Sequence, residues 1–207
     1  YISAPPERGF LYLYSLTGLS AAPSKITNSS FMNDIFECRS NKDKIVVSMK
    51  ALIVGRFQPL HKGHLHMIRK AMERYDEIII IIGSINKHDF NNPLTYEERV
   101  RIFRACGIKC KIYGVPDVYD DKKWVESIFK VAGDFDVVIS GSDWVKRCFN
   151  GVKPVVDPDF LKPKLYHGTV IRHRILKGES WEELVPECTL RILKELNFER
   201  RVKELVK

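Results

Sequence analysis

The stretch ALIVGRFQPLHKGHLHMI, residues 51–68, decides how this chain is read. It opens as an apolar run that fits a buried strand over Lys50 to Gly55 and leaves it through Gly55, Arg56 and Phe57. Pro59 then bars a helix from starting much before His61, because proline has no N–H and pushes the preceding residue out of helical geometry. His61 and His64 therefore fall in the first turn of the next helix or on its approach, where unpaired backbone N–H groups and the helix dipole attract anions. Gly63 leaves room there for a ligand. At spacing i, i+3 the two imidazoles can point the same way and donate to one phosphoryl group. Spacing alone also allows a metal site or a pair of surface histidines, and His66 shows that an extra histidine is easily placed.

Working outward, strand and helix patterns alternate with a period of about thirty residues. A helix is expected over Gly63 to Tyr75, a strand over Glu77 to Gly83, and a helix over Thr95 to Cys106 opened by the capping box Thr95-x-x-Glu98. Then come a strand over Lys109 to Val115, a helix over Asp121 to Val131, a strand over Asp136 to Ser140, a short helix over Asp143 to Phe149 and an edge strand over Val152 to Val156. From Thr169 the tail reads as helical, with SWEELVPECTLRILKEL as its longest member. Strands such as EIIIIIG and FDVVIS are apolar on both faces, as a parallel sheet covered by helices requires. The expected fold class is α/β, a doubly wound, Rossmann-like parallel sheet with a helical C-terminal tail, whose ligands bind beyond the carboxyl ends of the strands.

Residues 1–48 differ in character, being rich in Ser, Pro and Asn without a sustained period, and are read as an N-terminal extension, disordered or loosely docked, ahead of a domain spanning 49–207. The 34 Lys and Arg against 26 Asp and Glu give a net charge of +8. Such a balance suits multiply anionic small substrates as well as nucleic acid, and the cations are spread along helix faces beside acidic partners rather than gathered into a basic arm. No apolar run is long enough for a membrane span. Cys38, Cys106, Cys110, Cys148 and Cys188 are odd in number and lack zinc-ribbon spacing, so they are read as reduced thiols of a cytoplasmic protein. Neither a Gly-x-x-x-x-Gly-Lys-Ser/Thr loop nor Gly-x-Gly-x-x-Gly is present, so neither a P-loop kinase nor a dinucleotide-dependent dehydrogenase of the usual type is supported.

The segment GRFQPLHKGH resembles the His-x-Gly-His signature of the nucleotidylyltransferase superfamily, and its flanks resemble the archaeal type of nicotinamide-mononucleotide (NMN) adenylyltransferase. The resemblance runs over residues 49 to 200 and includes IIIGS at 80–84, NPLTYEER at 92–99, VPDV at 115–118 with Trp124 seven residues after Asp117, ISGSDWV at 139–145, YHGTVIRHRIL at 166–176 and WEELVPE at 181–187. It implies in-line attack by the mononucleotide's 5′-phosphate on the α-phosphorus of ATP, giving NAD and pyrophosphate with no covalent enzyme intermediate. His61, His64 and Arg172 are then the expected catalytic residues. Gly55, Arg56, Phe57, Gly63, Ser140, Gly141 and Thr169 would bind ATP, and Trp124 with Asp121 would bind NMN. Mg²⁺ would travel on the ATP phosphates, so no carboxylate cage is required of the chain. The resemblance further implies a homo-oligomer, with no nucleic-acid or membrane partner. Alternatives are another acceptor such as phosphopantetheine or FMN, CTP as donor, or a non-catalytic nucleotide- or RNA-binding module.

Four positions depart from the family pattern. His167 stands where the family usually has Ser and adds a possible phosphate donor; Ser142-Asp143 replaces Asn-Pro; Asp121 replaces Asn; and Asn91 replaces a basic residue, so the acceptor phosphate would need another cation. Arg99 reads as an ordinary helix-surface residue and is left out of the site.

Overall fold

In the computed structural model the described residues are 48–206. Most of the 1–48 extension, with Cys38, lies outside them. Five parallel strands form one sheet in the order β3-β2-β1-β4-β5, with β1 at Lys50–Gly55, β2 at Glu77–Ile82, β3 at Lys111–Gly114, β4 at Val137–Ile139 and β5 at Val155–Val156. Between them run α1 (Lys62–Arg74), α2 (Tyr96–Ala105), α3 (Asp121–Ala132) and α4 (Asp143–Phe149). The chain winds from β1 outward through β2 to β3, then crosses back to β4 on the other side of β1. Right-handed crossovers put α1 and α2 on one face of the sheet and α3 and α4 on the other. The reversal between β1 and β4 opens a crevice at the carboxyl ends of those strands, the usual ligand position in such sheets.

Burial of both faces explains why the strands lack polar alternation. Leu52, Ile79, Ile81 and Val138 pack against Trp124, Val125 and Ile128 of α3 and against Val145 and Phe149 of α4. Their neighbours in each strand, Ile53, Ile78, Ile80, Ile82 and Val137, point the other way and are buried too. The expected doubly wound architecture is therefore present, with element ends shifted by only one or two residues except at the start of the edge strand, which pairs only over Val155–Val156.

The C-terminal tail is more divided than its sequence suggests. It contains α5 (Gly168–Lys177), a 3₁₀ turn (Glu182–Leu184), α6 (Glu187–Glu195) and α7 (Phe198–Glu204). The stretch SWEELVPECTLRILKEL is not one helix, because Pro186 takes the N-cap of α6 and holds Val185 extended at φ −108°, ψ 155°. The reading of all five cysteines as reduced thiols is also corrected. Cys106, the C-cap of α2, and Cys188, in the first turn of α6, form a disulfide with Cα atoms 5.2 Å apart. These positions are 82 residues apart in sequence and meet only because α2 packs on α6. Cys110 and Cys148 are free.

Candidate active site

The turn that leaves β1 is fixed from both sides by buried side chains. Gln58, only 4% exposed, exchanges two hydrogen bonds with the backbone of Leu94, its amide donating to the carbonyl at 2.8 Å and its carbonyl accepting from the N–H at 2.9 Å. Arg99 projects from α2 beneath the same turn. Its Nη1 donates to the carbonyls of Arg56 at 3.0 Å and Gly83 at 2.8 Å, and its Nε to that of Thr95 at 3.0 Å. At 1% exposure Arg99 is no surface residue, contrary to the sequence expectation. Its place on the helix carried the signal: it precedes Ile102 by three and Phe103 by four, so it shares their buried stripe. Burial lowers its pKa to about 10, still far above neutral, so it remains a cation tying together the ends of β1 and β2.

Held in this way, the chain enters α1 with His61 as N-cap. The His61 Nδ1 accepts from the His64 N–H at 3.2 Å, and the His64 Nδ1 accepts from the His61 N–H at 3.5 Å, a reciprocal box made of two imidazoles. The rings stack with centroids 3.5 Å apart and planes 16° from parallel. Phe57 supports His64 edge-on at 4.8 Å and is itself packed on Phe103. A ring nitrogen that accepts from an N–H carries no proton, so the neutral form of each ring has its hydrogen on Nε2.

Neutrality is enforced by the surroundings. Burial, followed by repulsion from His167, lowers the His61 pKa to about 3. Burial, then His61 and His167, hold His64 well below the ordinary imidazole value, with the Pro59 carbonyl pulling the other way. Near pH 7 the site thus offers two uncharged donors rather than two cations.

The N-terminus of α5 meets that of α1. His167 caps α5, its Nδ1 accepting from the Thr169 N–H at 3.2 Å. Glycines allow the approach: a Cβ on Gly63 would stand 2.9 Å from the Tyr166 Cβ, and one on Gly168 would stand 2.6 Å from the Gln58 carbonyl oxygen. Gly63 therefore serves helix-to-segment packing, where the sequence reading assigned it to nucleotide approach alone.

A cavity of about 720 Å³ opens at this junction, over the carboxyl ends of β1, β2 and β4. Of the expected residues it is lined by Gly55, Arg56, Phe57, His61, Gly63, His64, Trp124, Ser140 and Gly141. Arg56 is exposed and, among the described residues, has no ion-pair partner. Trp124 belongs to both readings offered for it: it is 2% exposed and part of the core, and it also faces the cavity, tilted against Trp144 with centroids 4.4 Å apart.

Thr169, Arg172 and Asp121 do not line the cavity. Arg172 is 2% exposed, and its guanidinium lies behind the wall. Nη1 donates to the Gln58 carbonyl at 2.6 Å, while Nη2 donates to Asn91 Oδ1 at 3.1 Å and Thr169 Oγ1 at 3.2 Å. The ring of Phe90 lies 5.3 Å from its guanidinium carbon. Its Nε is buried without a partner among the described residues. Asp121 accepts from the Trp144 indole N–H at 3.1 Å. The sequence reading missed Ser84, Asp117, Trp144, Phe160 and Tyr166, all on the cavity wall. Ser84 donates to Asp117 at 2.9 Å and follows β2 as Gly55 ends β1, which was a usable signal; Trp144 stands in the ISGSDWV segment just after Ser140 and Gly141.

Comparison with known proteins agrees with this geometry. Residues 52–192 match the family model described as cytidylyltransferase-like. A nicotinamide-nucleotide adenylyltransferase of Archaeoglobus fulgidus is 38% identical over 170 residues, covering 76% of this chain and 97% of the relative. The enzyme of the same name from Methanococcus vannielii is 40% identical over 163 residues, covering 76% and 95%. That from Pyrococcus abyssi is 37% identical over 166 residues, covering 76% and 89%. Among solved structures, a bifunctional NMN adenylyltransferase/ADP ribose pyrophosphatase from Francisella tularensis, complexed with AMP and a manganese ion, superposes with a TM-score of 0.62 at 24% identity. It covers 77% of this chain and 52% of that one, and shares the fold.

Proposed function

We propose that this chain, which belongs to the cytidylyltransferase-like family and there to the nicotinamide-nucleotide adenylyltransferases, joins the adenylyl group of ATP to nicotinamide mononucleotide, releasing NAD and pyrophosphate. The observation that carries the reading is the pair of neutral imidazoles at the α1 N-terminus, each with Nδ1 tied to backbone and its hydrogen on Nε2, on the wall of a cavity at the sheet's switch point.

In the reaction an oxygen of the mononucleotide's 5′-phosphate bonds to the α-phosphorus, the bond from that phosphorus to the β-phosphate's bridging oxygen breaks, and that oxygen leaves with its electron pair. No proton transfer is required. The protein's task is to hold three phosphate-bearing groups in line and to place donors where negative charge grows. His61 and His64 supply such donors at the α-phosphoryl group, with the dipole of α1 behind them. Donors that are rigid and already desolvated do not reorganise as charge develops, so they stabilise the transition state more than the ground state. Arg56 is the exposed cation for the acceptor or the triphosphate. Gly55, Phe57, Gly63, Ser140 and Gly141 form the floor on which ATP lies, and Trp124 gives the pyridinium ring an aromatic surface. Asp121 acts through Trp144, which it holds by the indole N–H. Arg172 and Thr169 set the position of the α1 turn through Gln58, and Arg172 takes up Asn91, the residue that stands in the place of a family cation.

No cluster of three or more His, Cys, Asp or Glu able to hold a metal occurs among the described residues. The imidazole Nδ1 atoms are engaged with backbone, so the chain fits Mg²⁺ carried by triphosphate oxygens and water, where it would neutralise phosphate charge. We assign the catalytic unit to 49–207, acting as a homo-oligomer in the cytoplasm, with ATP and NMN as partners and no nucleic acid. No helix among the described residues is long and apolar enough to cross a membrane.

The test is incubation of the purified chain and Mg²⁺ with ATP or CTP and a panel of NMN, phosphopantetheine and FMN, resolving products by chromatography. NAD and pyrophosphate formed from ATP and NMN support the reading. Turnover confined to another acceptor or donor, or RNA binding without turnover, overturns it.

A further inference from the structure

We infer that His167 is a third catalytic donor of this chain, reaching the pyrophosphate as it leaves while His61 and His64 hold the α-phosphoryl group. The inference deepens the proposed reaction and rests on adenylyl or any other nucleotidyl transfer from a triphosphate, not on the identity of the acceptor.

Four observations place it there. His167 is exposed and lines the same cavity as the other two imidazoles. It stands at the N-terminus of a second helix, the ten-residue α5, brought against the first by Gly63 and Gly168. Its Nδ1 accepts from the Thr169 N–H, so the neutral ring carries its hydrogen on Nε2, in the same arrangement as at α1. And it sits close enough to His61 and His64 to depress both their pKa values, while Arg172 and Arg56 act on it in turn. A polyanion in the cavity is therefore met by α1 and by α5, with the cations of Arg56 and Arg172 in electrostatic reach of the α5 ring.

Arg172 is the alternative donor for the outgoing group, and its hydrogen bonds argue against it. Nη1 and Nη2 donate to Gln58, Asn91 and Thr169, the Nε, unpartnered among the described residues, is buried, and the side chain is absent from the cavity wall. At α5 the side chain free to meet phosphate is the imidazole, with Arg172 acting behind it. As the bridging oxygen leaves with its electron pair, charge accumulates on the β-phosphate, and an N–H aimed there strengthens its hydrogen bond in the transition state.

His167→Asn separates donation from capping, because Asn also caps helices well but lacks the reach of the ring Nε2–H. Calorimetry with inorganic pyrophosphate and Mg²⁺ should show roughly tenfold weaker binding to His167→Asn than to the unaltered protein, with an unchanged melting temperature. Turnover with ATP should fall roughly 10- to 100-fold, the scale on which one such donor acts, with the KM for the acceptor unchanged. Equal pyrophosphate affinity in the two proteins overturns the inference even if the chain is a fully active adenylyltransferase. Weaker pyrophosphate binding in a chain that uses a different acceptor sustains it while removing the NMN reading.

Discussion

The N-termini of α1 and α5 carry the two motifs that sequence marks as chemical, and they use them differently. Both helices are capped by histidine through Nδ1. At α1, the two motif side chains face the cavity. At α5, the arginine of Thr-x-x-Arg turns inward, donates to the Gln58 carbonyl of the α1 turn and holds the first motif in place. A polar residue in a phosphate-binding motif is thus a ligand or a support according to whether its side chain reaches the cavity, and residue type does not decide which.

The largest effect expected from breaking that contrast is at the support. Arg172→Met removes a buried guanidinium and leaves the Gln58 carbonyl and Asn91 unpaired. It should destabilise the fold by about 3 kcal/mol, as loss of a buried hydrogen-bonded charge does, and lower turnover with it. Thermal unfolding and activity measured together check this; a variant of native stability that has lost only ATP affinity would return Arg172 to the phosphates. His64→Ala should instead lower kcat by about 10²-fold or more with ATP affinity nearly unchanged, because a transition-state donor is lost. Unaltered turnover would remove His64 from its role.

Acid sharpens the same comparison. The folded state holds His61 neutral down to about pH 3, whereas in the unfolded chain it protonates near its ordinary value of 6.5. Between those values the unfolded chain binds more protons, so stability is full above about pH 6.5 and declines as pH falls toward 3. Replacement by Asn, which retains a cap, should flatten that decline by a few kcal/mol at most. Denaturant midpoints at pH 7 and pH 4.5 report it, and parallel pH profiles for both proteins would contradict the neutral-ring assignment. Smallest is the effect at the far wall: Trp124→Phe should raise the KM for the mononucleotide severalfold and leave that for ATP alone, as expected for partial loss of a stacking surface. An unchanged KM would leave Trp124 to the core.

What sequence could show follows from the range of the forces involved. Pro59 acts on its neighbours, so the placement of His61 at the start of α1 was legible, as was the Thr95 and Glu98 capping box. The isoleucines of β2 announced a sheet covered on both faces. Long-range pairings were not legible: Cys106 with Cys188, Gln58 with Leu94, and Arg172 with the Gln58 carbonyl join segments brought together only by the wound sheet. Arg99 is an intermediate case, since its helical stripe was visible but an arginine on it was credited to solvent. The hydrogen bonds that let a cation stay buried there come from β1 and β2, outside any local window.

The central claim is that the α1 imidazoles are neutral, protonated on Nε2, and meet the nucleoside triphosphate with that hydrogen. Nitrogen NMR of histidine-labelled protein near pH 7, with and without α,β-methylene ATP and Mg²⁺, tests it directly. The account predicts that His61 and His64 both show the Nε2–H tautomer and that their Nε2 signals shift on adding the nucleotide. Rings protonated on Nδ1, or Nε2 signals indifferent to a nucleotide that binds, would contradict it.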